Sequence, residues 1–532
     1  MLNRRTLLGA AGASPLIWTT AFSPAFAETP KDTVVMAFQI DDMISLDPQE
    51  SFEFTPNEVT GNIYEKLIVP DTKDPTKIRP ALAEKWETSA DGLTTTFHLV
   101  AGRKFASGNP VTAEDVVFTL SRAVILNKAP GFIITQFGFT KDNVAERVSA
   151  PDPQTVVITI AEKQSPTFLL YCLSANVGGI VDKKTVMSHA KDNDLGNGWL
   201  KTNSAGSGPW ALRSWRASES VALDANPNHP SPPKVKRLLI LHRPDPSAQL
   251  LALQKGDVDI ARNLSPEQLK SLQENPDYHL VSQTKANVMY LAMNQKNANL
   301  AKPQVRQAIK WAIDYKTIAK NITPQIYVEH QAFLPKGLPG ALTDTPFGKD
   351  VEKARALLKE AGLEGGFEIS LDCQNTTPHS EIAQALQADL GAVGIKVRLM
   401  PGEFKQVITK TRARQHELAL VRWGSDYMDP HSNAETFCMN PDNGDDARNR
   451  TLAWRSDWQD QDLNDRAAAN VREQDADKRI REYERLQRDH QERSPFAIML
   501  QQIEVAALRK NVSGFEIGPL SDRTVYAEIQ KG

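Results

Sequence analysis

The stretch RPALAEKWETSADGLTTTFHLVAGRKFASGNPVTAEDVVFTLSRA, residues Arg79–Ala123, carries several local structure signals in a fixed order. Its first part predicts an apolar helical turn formed by Ala81, Leu82 and Trp86. Residues 89–92 (SADG) are typical of a tight turn, because their polar side chains and glycine suit a sharp change of direction. The stretch therefore predicts a compact unit in which a turn feeds a strand.

The second half of the stretch predicts a strand followed by a capped helix. Residues 93–100 alternate between two faces, and Thr95, Phe97 and Leu99 would share one of them. After a loop framed by glycines, Thr112 is placed to cap a helix. Glu114 and Asp115 would lie in its first turn, where the helix dipole favours negative charge.

The rest of the chain alternates short strands with helices, which predicts a mixed α/β fold. The clearest predicted strands are Val34–Ile40, Val156–Ile160, Val235–Leu241, Ile395–Leu399 and Glu417–Trp423. The clearest predicted helices are Lys302–Ile322, Asp350–Ala361, Ser380–Val393 and Ala476–Glu492. Each helix has an apolar stripe that we expect to face a core.

Length and charge limit the classes of function. A chain of 532 residues exceeds the size of one hydrophobic core and predicts two or three domains. With 40% hydrophobic and 24% charged residues, the composition is that of a globular protein. The formal net charge of −3 argues against a nucleic-acid partner, because phosphate binding is usually accompanied by a basic excess.

The N-terminus has the features of an export signal. Arg4 and Arg5 precede an apolar segment, and Ala25-Phe26-Ala27 matches the A-x-A cleavage pattern. We therefore expect residues 1–27 to be removed and the mature chain to be located in the periplasm. The arginine pair favours the twin-arginine route, although it also occurs in ordinary secretory signals. No later apolar run reaches the roughly 18 residues that span a bilayer, and no cysteine for a lipid anchor follows the cleavage site.

Motifs of enzymatic chemistry are absent from the sequence. There is no GxSxG, HExxH, CxxC, GxGxxG or GxxxxGK pattern, and His416-Glu417 is followed by Leu420 where a zinc protease needs histidine. We expect no catalysis, no metal and no cofactor, with an exported hydrolase as the alternative. The three cysteines, Cys172, Cys373 and Cys438, are interpreted as buried apolar residues, and one disulfide among them stays open.

A candidate binding site follows the strand Glu417–Trp423. Gly424 ends this strand, and ligands of α/β proteins lie beyond the carboxyl ends of strands. Asp426 is therefore placed to accept hydrogen bonds from a ligand ammonium group. Its neighbours Arg422, Trp423 and Tyr427 are candidates to meet a ligand carboxylate or to form a wall, although each could equally serve the core or an ion pair.

A second candidate wall is the loop around Phe52, Glu53 and Phe54. Two aromatic rings that flank a carboxylate suit an amphipathic, cationic ligand. The alternative is that the rings pack in a small hydrophobic cluster. We expect this loop to face the Asp426 segment across a cleft.

Six segments in sequence order resemble the large periplasmic solute-binding proteins of the peptide/nickel class, family 5. They are Leu46-Asp47-Pro48 with Val59–Glu65, Arg79–Ala123, Gly206–Trp210, Ala252–Ile260, Pro303–Asp314 and Val421–Pro430. The resemblance implies an α/β, two-lobed periplasmic-binding-protein fold, type II-like, with an extra inserted domain. It also implies that the chain captures a small ligand for an ABC importer.

The resemblance implies a division of the mature chain as well. The first lobe would comprise residues 28–62, 200–287 and 505–532, the inserted small domain residues 63–199, and the second lobe residues 288–504. Crossings near Lys285–Val288 and Gln502–Val505 would form a hinge that closes on the ligand.

The resemblance also suggests ligand and partners. In peptide-binding relatives the aspartate of W-x-x-D, here Asp426, holds the ligand's α-amino group, so a short peptide or a related primary amine such as an opine-like compound is expected. The expected partner is an inner-membrane ABC permease, and the protein itself is expected to be a monomer. A nickel or metallophore complex is the alternative ligand, with His416 and His431 as the local candidates, and a chemoreceptor is the alternative partner.

Overall fold

The computed structural model describes residues 29–71, 74, 77–447 and 449–532. The predicted export signal, residues 1–27, lies outside these residues.

The described chain contains one large sheet, a smaller four-stranded sheet and two short two-stranded ladders. The strands are β1 Thr33–Phe38, β2 Ile68–Pro70, β3 Ile78–Pro80, β4 Ala83–Thr88, β5 Thr94–Leu99, β6 Val148–Asp152, β7 Thr155–Thr159, β8 Trp210–Arg216, β9 Ser220–Ala225, β10 Arg237–His242, β11 Ile260–Ala261, β12 Tyr278–Met293, β13 Tyr327–Glu329, β14 Phe367–Gln374, β15 Ile395–Gly402, β16 Leu418–Gly424, β17 Phe496–Arg509, β18 Val512–Ser513 and β19 Gln530–Lys531.

The large sheet has the order β15-β14-β16-β12-β17-β11-β1-β10-β9-β8, with β13 paired to β17. Strands β14, β15 and β16 are parallel to one another, as are β10, β1 and β11. The long strands β12 and β17 pair antiparallel in the middle of the sheet and join these two groups.

Helices cover both faces of this sheet. They are α1 Phe54–Ile63, α2 Ala113–Leu126, α3 Phe132–Thr135, α4 Val144–Arg147, α5 Phe168–Ser174, α6 Lys183–Ser188, α7 Asn197–Leu200, α8 Pro246–Lys255, α9 Pro266–Gln273, α10 Pro303–Ala312, α11 Tyr315–Thr317, α12 Val351–Glu360, α13 His379–Ala392, α14 Phe404–Arg412, α15 His431–Cys438, α16 Leu452–Arg455, α17 Gln461–Asn470 and α18 Ala476–Arg493.

The second half of strand β12 is buried on both sides. Its residues Met289, Leu291 and Met293 pack into one hydrophobic cluster, whereas Val288, Tyr290 and Ala292 pack into another on the opposite face. A strand in the middle of a two-sided sheet has a continuous apolar sequence for this reason.

The ladder between β12 and β17 is interrupted between Thr284 and Val288. At this interruption Lys285 is 2% exposed, and its ammonium group lies 3.1 Å from Glu504. Glu504 also pairs with Arg262, which in turn contacts Glu58 at 2.7 Å. Two buried cations and two carboxylates therefore lie where the long strands lose their regular pairing.

The signature stretch Arg79–Ala123 folds mainly as its sequence predicts. Strand β5 buries Thr95, Phe97 and Leu99 on one face, and Thr112 caps α2 in a reciprocal capping box with Asp115. The predicted helical turn at Ala81–Trp86 is wrong, because residues 83–88 form β4. Pairing with β5 places Trp86 beside Phe97, with ring centroids 6.5 Å apart, and this long-range contact outweighs the local helical signal.

The predicted helix Lys302–Ile322 is also wrong in part, because it is broken. Helix α10 ends at Ala312, and Ile313 takes an extended conformation. Asp314 then caps α11 by accepting a hydrogen bond from the Thr317 N–H at 3.0 Å. The apolar stripe misled the prediction, since Val305, Ile309 and Ala312 are buried in α10 and Ile313, at the break itself, is buried as well.

The remaining predicted elements are confirmed with shifts of a few residues at their ends. They correspond to β1, β7, β10, β15, β16, α12, α13 and α18. The three cysteines are buried and free of disulfides. No single helix in the described ranges is long and apolar enough to cross a membrane, and one pair, Ala113–Leu126 with Ala129–Thr135, passes that test only together and is bent by 113°.

Candidate functional site

The predicted site residues Arg422, Trp423 and Asp426 lie at or just beyond the end of strand β16 in the large sheet. This strand runs between β12 and β14, and Gly424 is its last residue. A Cβ atom added at Gly424 would lie 2.7 Å from the Phe54 ring and 2.4 Å from the side-chain oxygen of Asn287. Glycine at this position therefore lets Phe54, which begins α1, approach the end of β16 closely.

Asp426 lies two residues after this glycine and is partly exposed. Its backbone N–H donates to the Ser432 hydroxyl at 2.9 Å. Its carboxylate makes no hydrogen bond or ion pair with any residue that the structure describes. Burial raises the pKa of Asp426 well above its usual value, and the neighbouring Glu435 raises it further, whereas Arg455 acts in the opposite direction.

Arg422 lies on the same strand and faces the loop that begins α1. Its guanidinium carbon is 5.1 Å from the centroid of the Phe54 ring, a cation–π distance. Asp42 lies in the same region, accepts a hydrogen bond from the Thr55 N–H at 3.1 Å and has its second oxygen buried without a partner. Burial raises the pKa of Asp42, while Thr55 and Arg422 act to lower it.

Glu53 immediately precedes α1 and is half-buried. Burial raises the pKa of its carboxyl, and the field of Asp42 adds to that rise, whereas Arg412 acts against it. The structure therefore brings Arg422 over the Phe54 ring, and the carboxyl groups of Asp42 and Glu53 lie close enough to affect each other.

The aromatic side chains predicted for the site pack against other aromatic rings. Phe52 packs edge-on against Phe132 at 6.0 Å, and Tyr427 packs against Phe168 at 5.9 Å. Tyr427 is 1% exposed, and its hydroxyl is buried without a hydrogen-bond partner. Trp423 lies against Phe437 at 5.9 Å. In this structure the three rings therefore contact neighbouring aromatic side chains.

Sequence reasoning missed three charged residues near Asp426 and Arg422. Asp42 follows the first strand, so the carboxyl-end rule could have found it. Glu435 on α15 and Arg455 on α16 lie in no motif, and only the fold brings them near Asp426.

The two histidines considered as metal ligands lie in different surroundings. His431 is buried and packs against Phe168 at 5.4 Å, and burial lowers its pKa to about 4. His416 lies before β16 in a separate cavity. Within the part of the chain that the structure describes, no group of three His, Cys, Asp or Glu side chains could hold a metal ion.

Comparison with known proteins identifies the family of this chain. The model of the bacterial extracellular solute-binding proteins, family 5 (middle), matches residues 77–445. The chain is 27% identical over 513 residues to the probable D,D-dipeptide-binding periplasmic protein DdpA of Escherichia coli K12, covering 96% of each chain.

Solved structures share the fold. The periplasmic binding protein DppA of Helicobacter pylori, in complex with the peptide STSA, has a TM-score of 0.81 at 23% identity and covers 94% of this chain and 98% of its own. MoaA of A. tumefacien R10, in complex with mannopinic acid, has a TM-score of 0.80 at 22% identity and covers 94% and 100%. The predicted two-lobed α/β fold is confirmed, and the chain belongs to family 5 of the bacterial extracellular solute-binding proteins.

Proposed function

We propose that this protein captures a short peptide or a related primary amine, such as an opine-like compound, without catalysis and delivers it to an inner-membrane ABC permease. The observation that carries the proposal is the carboxylate of Asp426, which is partly exposed at the end of β16 and has no partner among the described residues. A carboxylate held in a cleft without a counterion is suited to a ligand ammonium group, because the charged hydrogen bond strengthens as water is excluded.

The surroundings of Asp426 favour a ligand that carries both charges. Arg422 makes no ion pair with a described residue, and its Nε atom is buried without a partner. Asp42 and Glu53 on the opposite wall add negative charge. Alternating charges around a cleft lined with aromatic rings suit a small zwitterion with an apolar part, which is the chemistry of a dipeptide or an opine.

The relatives support the same ligand class. Several are named dipeptide-binding or di/tripeptide-binding proteins, and solved neighbours hold peptides or opines. Since the relatives are periplasmic proteins, we also propose a periplasmic location, reached through the signal at residues 1–27 and the twin-arginine route, and a monomeric state.

The Asp426→Asn variant tests the ammonium contact. Asparagine is nearly isosteric but uncharged, so alanyl-alanine should bind about 10- to 150-fold more weakly, corresponding to about 1.5–3 kcal/mol. Binding to the wild type should strengthen as pH rises through the raised pKa of Asp426, because the ammonium prefers the ionised carboxylate. Isothermal titration calorimetry at several pH values measures both effects.

N-acetyl-alanyl-alanine supplies the control ligand, because it lacks the ammonium. It should bind the wild type and Asp426→Asn alike, and alanyl-alanine should bind the Asp257→Asn variant, altered at an exposed aspartate, as it binds the wild type. Equal losses for both ligands in Asp426→Asn would show that Asp426 shapes the loop without touching the amine.

We further propose that the chain is organised in two lobes with the inserted domain at 63–199 and crossings near Lys285–Val288 and Gln502–Val505. The interrupted ladder at Thr284 to Val288 supports a flexible point there. The packing of Val181, Val186 and Leu200 with β1 residues favours an end of the inserted domain nearer to residue 180.

Closure about these crossings should be visible in solution. Saturation with alanyl-alanine should reduce the radius of gyration measured by small-angle X-ray scattering and raise the melting temperature with ligand concentration. At a subsaturating concentration of alanyl-alanine, the radius of gyration and the melting temperature should change less in Asp426→Asn than in the wild type at the same concentration. An unchanged radius at saturation in the wild type would contradict a closing hinge.

A further inference from the structure

The proposed inserted domain and the proposed second lobe meet at a contact that we name the clasp. It consists of residues 162–168 on one side and of residues 427–431 and 471–474 on the other. Residues 162–168 connect β7 to α5, and residues 471–474 lie between α17 and α18. The Ser165 N–H donates to the Val471 carbonyl at 2.9 Å, so the backbones of the two sides touch.

Two further polar contacts cross the clasp. The Gln474 side-chain amide donates to the Gln164 carbonyl at 2.9 Å, and these residues are 310 positions apart in the sequence. The guanidinium of Arg472 lies 2.9 Å from the carboxylate of Glu162, and the two side chains are 54% and 64% exposed. Because these groups border solvent, they can exchange their bonds for bonds with water when the two sides separate.

An apolar contact accompanies the polar ones. The ring of Phe168 is 2% exposed and packs against Tyr427 at 5.9 Å and against His431 at 5.4 Å. Tyr427, Met428 and Val471 belong to the same hydrophobic cluster as Phe168. Residues of the second lobe are therefore buried in a cluster that the inserted domain contributes for the most part.

The second-lobe side of the clasp includes the loop of the proposed ligand anchor. Tyr427 directly follows Asp426 in the chain. Asp429 of the same loop is 0% exposed and accepts hydrogen bonds from Arg479 of α18 at 2.6 and 2.9 Å. This buried pair fixes the loop to the second lobe. A rotation of that lobe about the proposed crossings therefore carries the loop away from Phe168.

The clasp also buries polar atoms that lack partners. Four side-chain atoms have no hydrogen-bond partner among the described residues, namely Gln164 Oε1, Ser165 Oγ, the Tyr427 hydroxyl oxygen and His431 Nδ1. Such atoms raise the free energy of the state that buries them, and they regain hydrogen bonds when water enters. The closed clasp therefore carries a cost that separation removes, which suits a contact that opens and closes.

We propose that the clasp holds the second lobe closed over the anchor loop and thereby sets how long a bound solute is retained. Its polar contacts and the packing of Phe168 stabilise the closed state, whereas the unpartnered atoms destabilise it. A bound solute shifts this balance toward closure. The inference rests on the proposed function and deepens it, since it assigns control of solute release to the loops 162–168 and 471–474.

The test variant combines Glu162→Gln with Gln474→Ala and removes the ion pair and one hydrogen bond at exposed positions. Opening of the clasp should become about 3- to 70-fold more favourable, the combined range of an exposed ion pair and a neutral hydrogen bond. Hydrogen exchange of the Ser165 amide, which bonds across the clasp, should accelerate by that factor. Stopped-flow displacement should show that alanyl-alanine dissociates faster as well.

Ser165→Ala is the variant of opposite sign. It keeps the N–H that bonds to Val471 and removes a buried hydroxyl that has no partner in the described ranges. Exchange of the amide at position 165, corrected for the intrinsic rate of the new residue, should slow by about 5-fold or more. Alanyl-alanine should dissociate more slowly from this variant than from the wild type.

The matched control combines Glu219→Gln with Gln459→Ala. Glu219 pairs with Arg216 at 2.8 Å, and the Gln459 amide donates to the Asn440 carbonyl at 2.9 Å, each within one lobe. The control removes the same two kinds of bond without touching the clasp, so exchange at position 165 and the dissociation rate should both stay at their wild-type values.

The proposal is overturned unless the double variant and Ser165→Ala shift both rates in opposite directions. It is also overturned if saturating alanyl-alanine leaves exchange of the Ser165 amide unchanged in the wild type, because the ligand then does not close the clasp. In either case, weaker binding to Asp426→Asn would leave the proposed function standing. If no dipeptide binds, peptide capture is refuted, and exchange at position 165 in the ligand-free variants alone decides on the clasp.

Discussion

Replacement of Asp47 by asparagine should lower the free energy of unfolding by about 3–5 kcal/mol, because it leaves a fully buried arginine without its counterion. Asp47 and Arg122 are both 0% exposed. The guanidinium of Arg122 donates to both carboxylate oxygens, to the Gln49 side chain at 2.7 Å and to the Leu195 carbonyl at 2.8 Å. Asn197 donates to the same carboxylate at 2.7 Å.

This pair joins distant parts of the chain, since Asp47 precedes α1 and Arg122 lies on α2. Equilibrium unfolding in urea measures the loss. Asp257→Asn, which changes an exposed aspartate, should shift stability by no more than about 0.5 kcal/mol. A loss below about 1 kcal/mol in Asp47→Asn would mean that the guanidinium is satisfied by Gln49 and Leu195 without the carboxylate.

Replacement of Glu504 by glutamine should have a comparable effect at neutral pH, again about 3–5 kcal/mol. The substitution leaves Lys285 without a carboxylate at the interrupted ladder and leaves Arg262 with Glu58 only. Urea unfolding at pH 7 measures this difference, and Glu528→Gln, at an exposed glutamate, is the control.

The effect of Glu504→Gln should depend on pH. Although burial acts to raise the pKa of Glu504, Arg262 and Lys285 lower it from 4.5 to about 2. A depressed carboxyl pKa gives stability that is present above the unfolded value and is lost as pH falls toward the folded one. The difference between wild type and variant should therefore be largest at pH 7 and shrink between about pH 4.5 and 2. A difference that does not change with pH would mean that the charge of Glu504 is irrelevant to folding.

Local signals in the sequence predicted most elements of this fold. The capping box at Thr112 and the alternation of β5 depend on neighbouring residues, so they could be predicted from the sequence. The errors arose where a distant partner decided the conformation. Trp86 lies in a strand because β5 pairs with it, and the break after Ala312 is held by Asp389, which accepts a hydrogen bond from the Asp314 N–H at 2.9 Å.

The candidate site, too, could be predicted from the sequence only where its residues are neighbours in the chain. Asp426 and Arg422 could be proposed from one strand and the glycine that ends it. Their surroundings could not, because Arg455 lies 29 positions beyond Asp426 and Asp42 lies some 380 positions before it. Only the fold shows which charges act on a carboxylate, and those charges decide what it can bind.

The burial of the three cysteines has a practical consequence. Cys172, Cys373 and Cys438 are buried, and burial raises the pKa of each thiol, so few thiolates are available to react at neutral pH. Thiol-specific dyes should therefore attach selectively to cysteines introduced on the surface, with no need to remove the native ones. With one fluorophore on each lobe, the proposed closure would change the energy transfer between them, and the labelled protein would then serve as an optical sensor of solute.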